Sequence, residues 1–472
     1  MTRMSLRMSR WRLALFFAVG ATGLGTLLRF SASDAQEPHS SLQQEIAQVE
    51  QQVDSIEADT VVMIASLPLG GSHKPATLGK VLFFDKNLSV NRNEACAFCH
   101  MPQTGFQGAI ENLNLGAVAQ PGSIRNRFSL RKPPSAAYAA FSPPLIDADE
   151  PGQAKCVHCF IGGNFWDLRA TGLRLQNSTA MQAEGSPLNP TEMASPDPAC
   201  IVHRMAERPY KAFFERVWGP HAFNVTWPEN TEALCRQPND TPNSAIGSET
   251  PSDNTMPYVV KLSPRDRARV QSTFDQMAEA IAAYEASPEV SPFASKFDAF
   301  LAGKIELSEA ERRGYDLFNG QAKCQNCHED PKGTKHPLFT DNSTSNLGVP
   351  RNPHLAFYHE TQADAFGYVP DAQGEAFVDK GVGNFLRSPE NANEAWRELA
   401  SKFDGRFRVA TLRNVDKRPR PDFVKAYAHN GYFKSLRKSF ISIIPGTLCR
   451  DVKRVRRGRK YHAGRLPRTR KT

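Results

Sequence analysis

Apolar and polar positions follow a helical period in only a few stretches of this chain, separated by long tracts with no period. Leu42 to Ile56 spaces apolar residues three and four apart in a polar sequence, which predicts a lead-in helix. L-G-K-V-L-F-F-D, from Leu78 to Asp85, predicts a short amphipathic helix. Thr273 to Glu285 sets Phe274, Met277, Ile281 and Tyr284 on one face of a third. Ser308 and Glu311 form a capping box that opens a helix running to Phe318. Pro and Gly crowd residues 119–163, and Pro, Asn, Ser and Thr crowd 236–257, so both read as loops. No sustained period of two predicts strands. The expected fold class is mostly α with long loops. At 472 residues the chain exceeds one usual core. The division expected is an N-terminal helical extension over 36–74 and two helical domains over 75–300 and 301–436, meeting near 295–307.

One apolar run differs in kind. Leu13 to Leu28 contains Gly20, Gly23 and Gly25, follows the basic leader M-T-R-M-S-L-R-M-S-R-W-R, and ends in S-A-S-D-A at Ala35. That order predicts a signal peptide over residues 1–35, cleaved after Ala35. An uncleaved anchor is the alternative and the only route to a membrane; the run is short for a span. Either way the body is expected outside the cytoplasm, in the periplasm, where cysteines can be oxidised. The net charge of +9 then changes meaning. Residues 437–472 carry a net +12 and residues 1–35 a net +4, which leaves 36–436 at −7. The basic character belongs to the ends, and a nucleic-acid-binding reading loses its support.

The cysteines carry the chemistry. C-A-F-C-H at Cys96, Cys99 and His100 recurs as C-Q-N-C-H at Cys324, Cys327 and His328. Cys-x-x-Cys-His is the attachment signature of c-type haem: two thioethers fix the porphyrin edge and the adjacent histidine ligates iron. A zinc site would want four ligands, and each cluster supplies three. Two covalent haem c groups are therefore expected, so that electrons stored in one domain can be used in the other. Cys156-Val157-His158-Cys159 lacks the trailing histidine, Phe160 standing there instead, and reads as a disulfide or loop pair with His158 free. Cys200 and Cys235 could pair, and Cys449 is left over.

Around these motifs stand L-G-K-V-L-F-F-D-K-N-L-S, G-N-F-W-D-L-R-A, Q-A-E-G-S-P-L-N-P-T-E-M, G-Y-D-L-F-N-G-Q-A-K-C-Q-N-C-H, F-R-V-A-T-L-R-N-V and A-Y-A-H-N-G-Y-F. In this order they resemble the bacterial di-haem cytochrome c peroxidase and MauG family over most of residues 75–436. The resemblance implies two cytochrome c-like haem domains, the first peroxidatic and the second electron-transferring. It implies His100 and His328 as axial iron ligands, Trp166 as the electron relay between haems, Glu192 as the distal-pocket carboxyl and Gln182 as its polar neighbour. His429 matches a histidine beside the second haem, and Arg169 and Arg413 are candidate propionate partners or structural residues.

Departures from the family pattern qualify this. Many relatives block the first haem with a loop histidine, but none occurs between His100 and His158. An open, five-coordinate first haem without reductive activation is expected, His158 being the one residue able to overturn it. Leu168 replaces a glycine of F-W-D-G-R, and Ser186 stands where a proline is usual. The asparagine ligand of the family's inter-domain calcium aligns with Lys132, which makes calcium doubtful. After Leu436 the family continues like E-I-V-H-F-Y-N-T-R-D, whose tyrosine (methionine in the peroxidases proper) is the second haem's sixth ligand. This chain has R-K-S-F-I-S-I-I-P-G-T-L-C-R-D. Read one nucleotide out of phase, codons for it can spell the family segment, which points to a frame-shifted tail over 437–472; a genuine basic tail for an acidic partner is the alternative.

The expected function is a periplasmic cytochrome-c peroxidase reducing hydrogen peroxide with electrons from a small cytochrome c or cupredoxin. The alternatives are a MauG-like oxidase that modifies a protein or organic substrate through a high-valent di-haem state, and a non-catalytic electron carrier. Glu192 argues against the last.

Overall fold

The computed structural model describes residues 37–66, 74–148, 159–240, 259–329 and 336–443. The signal segment, Cys156, His158, Cys449 and the tail from 444 lie outside the described residues. The helices are α1 (Glu37–Ser66), α2 (Lys74–Phe84), α3 (Cys96–Cys99), α4 (Glu111–Leu115), α5 (Ser178–Leu188), α6 (Pro198–Ala206) and α7 (Lys211–Trp218). There follow α8 (Thr231–Cys235), α9 (Pro264–Glu285), α10 (Lys296–Leu301), α11 (Glu309–Asn319), α12 (Val382–Arg387), α13 (Glu394–Leu399) and α14 (Leu436–Ile443). Among the described residues, strands are confined to two antiparallel pairs of two residues each. β1 (Ile146–Asp147) pairs with β2 (Phe160–Ile161), and β3 (Thr344–Ser345) with β4 (Phe407–Arg408). The fold is mostly helical, as the missing period of two predicts. Among the described residues no helix is long and apolar enough to cross a membrane.

Two helices run further than their periodicity. α9 begins at Pro264, two turns before Thr273, because Ser263 caps it and proline suits the first turn. α1 likewise extends beyond Leu42 and Ile56 at both ends. The capping box of Ser308 and Glu311 opens α11 as read, and Ser295 with Asp298 forms a second one at α10. That second box sets a helix within the 295–307 segment.

The main core joins α2 to α9. Leu78, Val81, Leu82, Phe83 and Phe84 are buried against Val270, Phe274, Met277, Ile281 and Tyr284, with Phe83 edge-on to Tyr284 at 5.5 Å. Val49, Val53 and Ile64 of α1 belong to the same core, and Cys200 of α6 is joined to Cys235 of α8 by a buried disulfide. A smaller core brings Leu145, Phe160 and Leu168 against Val382, Phe385, Leu386, Trp396 and Phe403. Loop residues from the first part of the chain are therefore buried by helices from the last.

The α2–α9 contact has one steric condition. A Cβ on Gly79 would lie 1.8 Å from the Ala280 carbonyl oxygen and 2.9 Å from Tyr284 Cβ. Backbone oxygen cannot step aside as a flexible side chain can, so the helices must part to admit a methyl. Gly79→Ala should destabilise the protein by about 1–3 kcal/mol, as overpacked cores do. A denaturant midpoint equal to that of the wild type would contradict this close approach.

Candidate functional site

The two Cys-x-x-Cys-His motifs are built alike. In the first, Ala97 and Phe98 are buried beneath the single turn α3, and the His100 amide donates to the Cys96 carbonyl at 3.0 Å. His100 Nδ1 then donates to the Phe106 carbonyl at 3.0 Å. A carbonyl only accepts, so Nδ1 carries the proton and Nε2 keeps its lone pair. Burial lowers this imidazole to about 4, which keeps it neutral at ordinary pH. In the second motif the His328 amide donates to Cys324 at 2.9 Å, and His328 Nδ1 to the Phe339 carbonyl at 3.0 Å. Burial again lowers the imidazole. Each motif thus presents two unpaired thiols and one imidazole nitrogen fixed as a lone-pair donor. That donor set fits a thioether-linked haem with histidine iron ligation.

The first motif opens on a cavity of about 640 Å³ lined by Cys96, Cys99 and His100, and also by Trp166, Arg169, Gln182 and Glu192. Sequence reasoning therefore names seven residues of one wall. The second motif lies among Phe297, Phe300, Tyr315, Phe318 and Phe339, which meet one another at 5.3 to 6.1 Å and none of which is fully buried. Half-covered aromatics beside Cys324 and His328 suit the flat apolar face of a porphyrin.

Glu192 belongs to a polar cluster at the end of α5. Asn189 Nδ2 donates to Glu192 Oε1 at 2.6 Å, and Gln182 Nε2 donates to Ser186 Oγ at 3.1 Å. Burial raises the Glu192 carboxyl above its usual range against the pull of Ser186, Arg169 and Asn189. Ser186, noticed in the sequence only as a departure from proline, is thus a working member of the cluster. Glu285 was missed. It lies 2% exposed on the cavity wall, its Oε2 has no hydrogen-bond partner, and burial pushes it up to about 8. Mostly protonated at neutral pH, it can donate a hydrogen bond into the cavity.

Trp166 faces both halves of the chain. Its Nε1 donates to the Lys132 carbonyl at 2.7 Å, and its ring meets His429 edge-on at 6.4 Å. His429 stacks on Phe407 at 3.5 Å and an interplanar angle of 10°, and burial lowers it to about 4. The loop that carries Trp166 is pinned by ion pairs. Arg131 donates to Asp167 at 2.6 Å and to both oxygens of Asp379 at 2.7 Å, and Arg169 donates to Asp167 at 2.9 Å. Arg169 also lies over the Phe165 ring at 3.8 Å while lining the cavity, so it remains placed for a haem carboxylate. Arg413 is engaged elsewhere: it grips Asp298 through both terminal nitrogens at 3.1 and 2.8 Å, and its Nε donates to Pro337 O. Of the two readings left open for Arg413, the geometry favours the structural one, a tie from α10 to the segment that holds His328.

The class defined by this geometry is a two-centre protein of c-type cytochrome build, with one centre beside a cavity. A family profile described as di-haem cytochrome c peroxidase matches residues 73–246. Methylamine utilization protein MauG of Paracoccus denitrificans (strain Pd 1222) is 30% identical over 369 residues, 78% of this chain and 73% of that protein. Cytochrome-c peroxidase IdrP1 of Denitromonas iodatirespirans is 25% identical over 369 residues, 76% and 69% of the two chains. Among solved structures, the diheme peroxidase BthA from Burkholderia thailandensis E264 shares the fold, with a TM-score of 0.55 and 23% identity over 80% of this chain and 73% of that one. The chain belongs to the di-haem cytochrome c peroxidase and MauG family.

Two consequences can be measured. Leu168 takes φ 68° where the family has glycine, and its side chain is fully buried. The left-handed backbone costs about 1–2 kcal/mol, whereas removing a buried leucine costs about 2–5 kcal/mol. Burial wins, so Leu168→Gly should lower stability in a denaturant titration despite restoring the family residue. At Asp167, burial alone would raise the carboxyl, but Arg169 and Arg131 overcome it and hold it at about 2. Its stabilisation, about 2 kcal/mol, is fully present above the unfolded value near 3.9 and lost as pH falls through about 2. The stability difference between wild type and Asp167→Asn should therefore shrink across that window.

Proposed function

We propose that this protein is an exported di-haem cytochrome-c peroxidase, with haem bound at Cys96, Cys99 and His100 and again at Cys324, Cys327 and His328. The observation that carries the reading is Glu192: a carboxyl with a raised pKa, in the same cavity as His100. A bound haem would supply the redox-active iron at which peroxide is reduced; the remaining work falls to the chain. One hydrogen peroxide, two protons and two electrons yield two waters. Glu192, held by Asn189, takes and returns a proton at its carboxyl oxygen while the O–O bond breaks, a role typically worth 10²–10⁴ in rate. Trp166 links the cavity to His429, and electrons arrive at the second centre from a small cytochrome c or cupredoxin. The Cys200–Cys235 disulfide supports an oxidising compartment and so the export signal read at residues 1–35.

A second reading is supported by relatedness. The MauG relative, at 30% identity, stands nearer than the peroxidase at 25%. An oxidase acting on a protein or organic substrate would use the same cavity and relay.

Steady-state peroxide turnover with reduced cytochrome c separates the two, since slow turnover with a long-lived oxidised state indicates the MauG-like case. Glu192→Gln should lower the peroxide-dependent rate by about 10²–10⁴ with the visible spectrum unchanged. Besides the two cysteines and the carboxylates, the described residues on the cavity wall with ligating side chains are His100, Met193 and Lys132, and the Lys132 amine is held by Gln107 and Pro133. A high-spin ferric signal from one iron is expected; two low-spin signals would mean that Met193 or His158 closes the site.

A further inference from the structure

Two lysines are buried where the loop after the first motif meets the C-terminal half. Lys132, 5% exposed, donates from Nζ to Gln107 Oε1 at 2.6 Å and to the Pro133 carbonyl at 3.0 Å. Lys425, 1% exposed, donates to the Thr104 carbonyl at 2.8 Å and the Lys417 carbonyl at 2.9 Å. Among the described residues neither is in an ion pair; all four acceptors are neutral oxygens. Long amines are almost never buried without a carboxylate partner, so the arrangement asks for a reason.

The position supplies one. Thr104 and Gln107 flank Phe106, whose carbonyl holds His100, and Thr104 Oγ1 donates to the Gln107 carbonyl at 2.7 Å. The Lys132 amide donates to the His429 carbonyl at 2.9 Å, and its carbonyl receives the Trp166 indole at 2.7 Å. Lys132 therefore touches the His100 loop, the Trp166 ring and the His429 segment at once.

Carbonyl and side-chain amide oxygens are ligands that hard cations seek, and the family resemblance implies calcium with an asparagine ligand at position 132. Calcium does not fit here. The side chain at 132 brings its own nitrogen to the oxygens and Lys425 adds a second; among the described residues no carboxylate pairs with Lys132, and Asp416 attracts Lys425 without forming an ion pair with it. Whether charged or neutral, each Nζ still donates to its oxygens. Burial lowers Lys132 to about 7 and Lys425 to about 8, so Lys132 is mostly charged at pH 6.

We propose that Lys132, seconded by Lys425, is a covalently built-in replacement for a bound divalent cation, a positioning residue that fixes Trp166 and the His100 loop against His429. This rests on the di-haem reading only for its second readout. Metal analysis of the full-length protein, purified with calcium present and then treated with a chelator, is the first arm. No stoichiometric calcium and an unchanged oxidised spectrum are expected; one calcium per chain, lost to chelator with a spectral change, overturns the proposal. Haem count by pyridine haemochrome tests the di-haem reading separately, and the calcium arm reads out whatever that count is.

The second arm is Lys132→Met, which keeps side-chain length but removes the Nζ bonds and the charge. Measured at pH 6 by potentiometric titration, the first haem's reduction potential should fall, because loss of a nearby positive charge favours the oxidised iron. A merely structural role would lower thermal stability without moving that potential. A folded variant with wild-type potentials at both haems overturns the proposal, and if the variant fails to fold the calcium arm still decides.

Discussion

Each centre depends on one hydrogen bond, from a motif histidine's Nδ1 to a phenylalanine carbonyl further along the chain. The bond settles the tautomer, and the tautomer decides which nitrogen faces the metal position. Because its acceptor is main chain, its direction is fixed by the loop fold, which is in turn fixed by what packs on it. For His100 that is the Thr104–Gln107 network; for His328 it is the Arg413–Asp298 pair anchoring the segment before Phe339. The two sites share a local rule and differ in the means of enforcing it.

Between the centres, charge is arranged so that groups compensate over long sequence separations. Arg131 reaches Asp167 and Asp379, and Arg127 reaches Asp240 and Asp364. Breaking one partner of such a pair strands the other in a low-dielectric setting, so these contacts specify how the halves meet more than they stabilise either one.

Much of this was legible in the sequence where the signal is local. The Cys-x-x-Cys-His turns, the capping box of α11, the apolar face of α9 and the lack of strands all follow from spacing within one or two turns. The cavity wall was legible through the quoted motifs, which place Trp166, Arg169, Gln182 and Glu192 together. What escaped shares a cause. Glu285 closes a helix whose periodicity marks only its apolar face, Ser186 meets Gln182 through a side-chain contact that no motif spells out, and Arg413 meets a carboxylate 115 positions away. Periodicity does not encode such partners.

The Gly79–Ala280 crossing also sets a schedule. The wall behind Phe83 is completed only by α9, roughly 200 residues downstream, and non-local pairings of that kind form late because loop closure precedes their reward. In a chain that folds as it is made, Cys96 and Cys99 are exposed well before Ile281 and Glu285, which line the same cavity, arrive to enclose them. On the di-haem reading proposed above, thioether attachment at this pair can precede closure of the wall, and folding afterwards encloses the attached group.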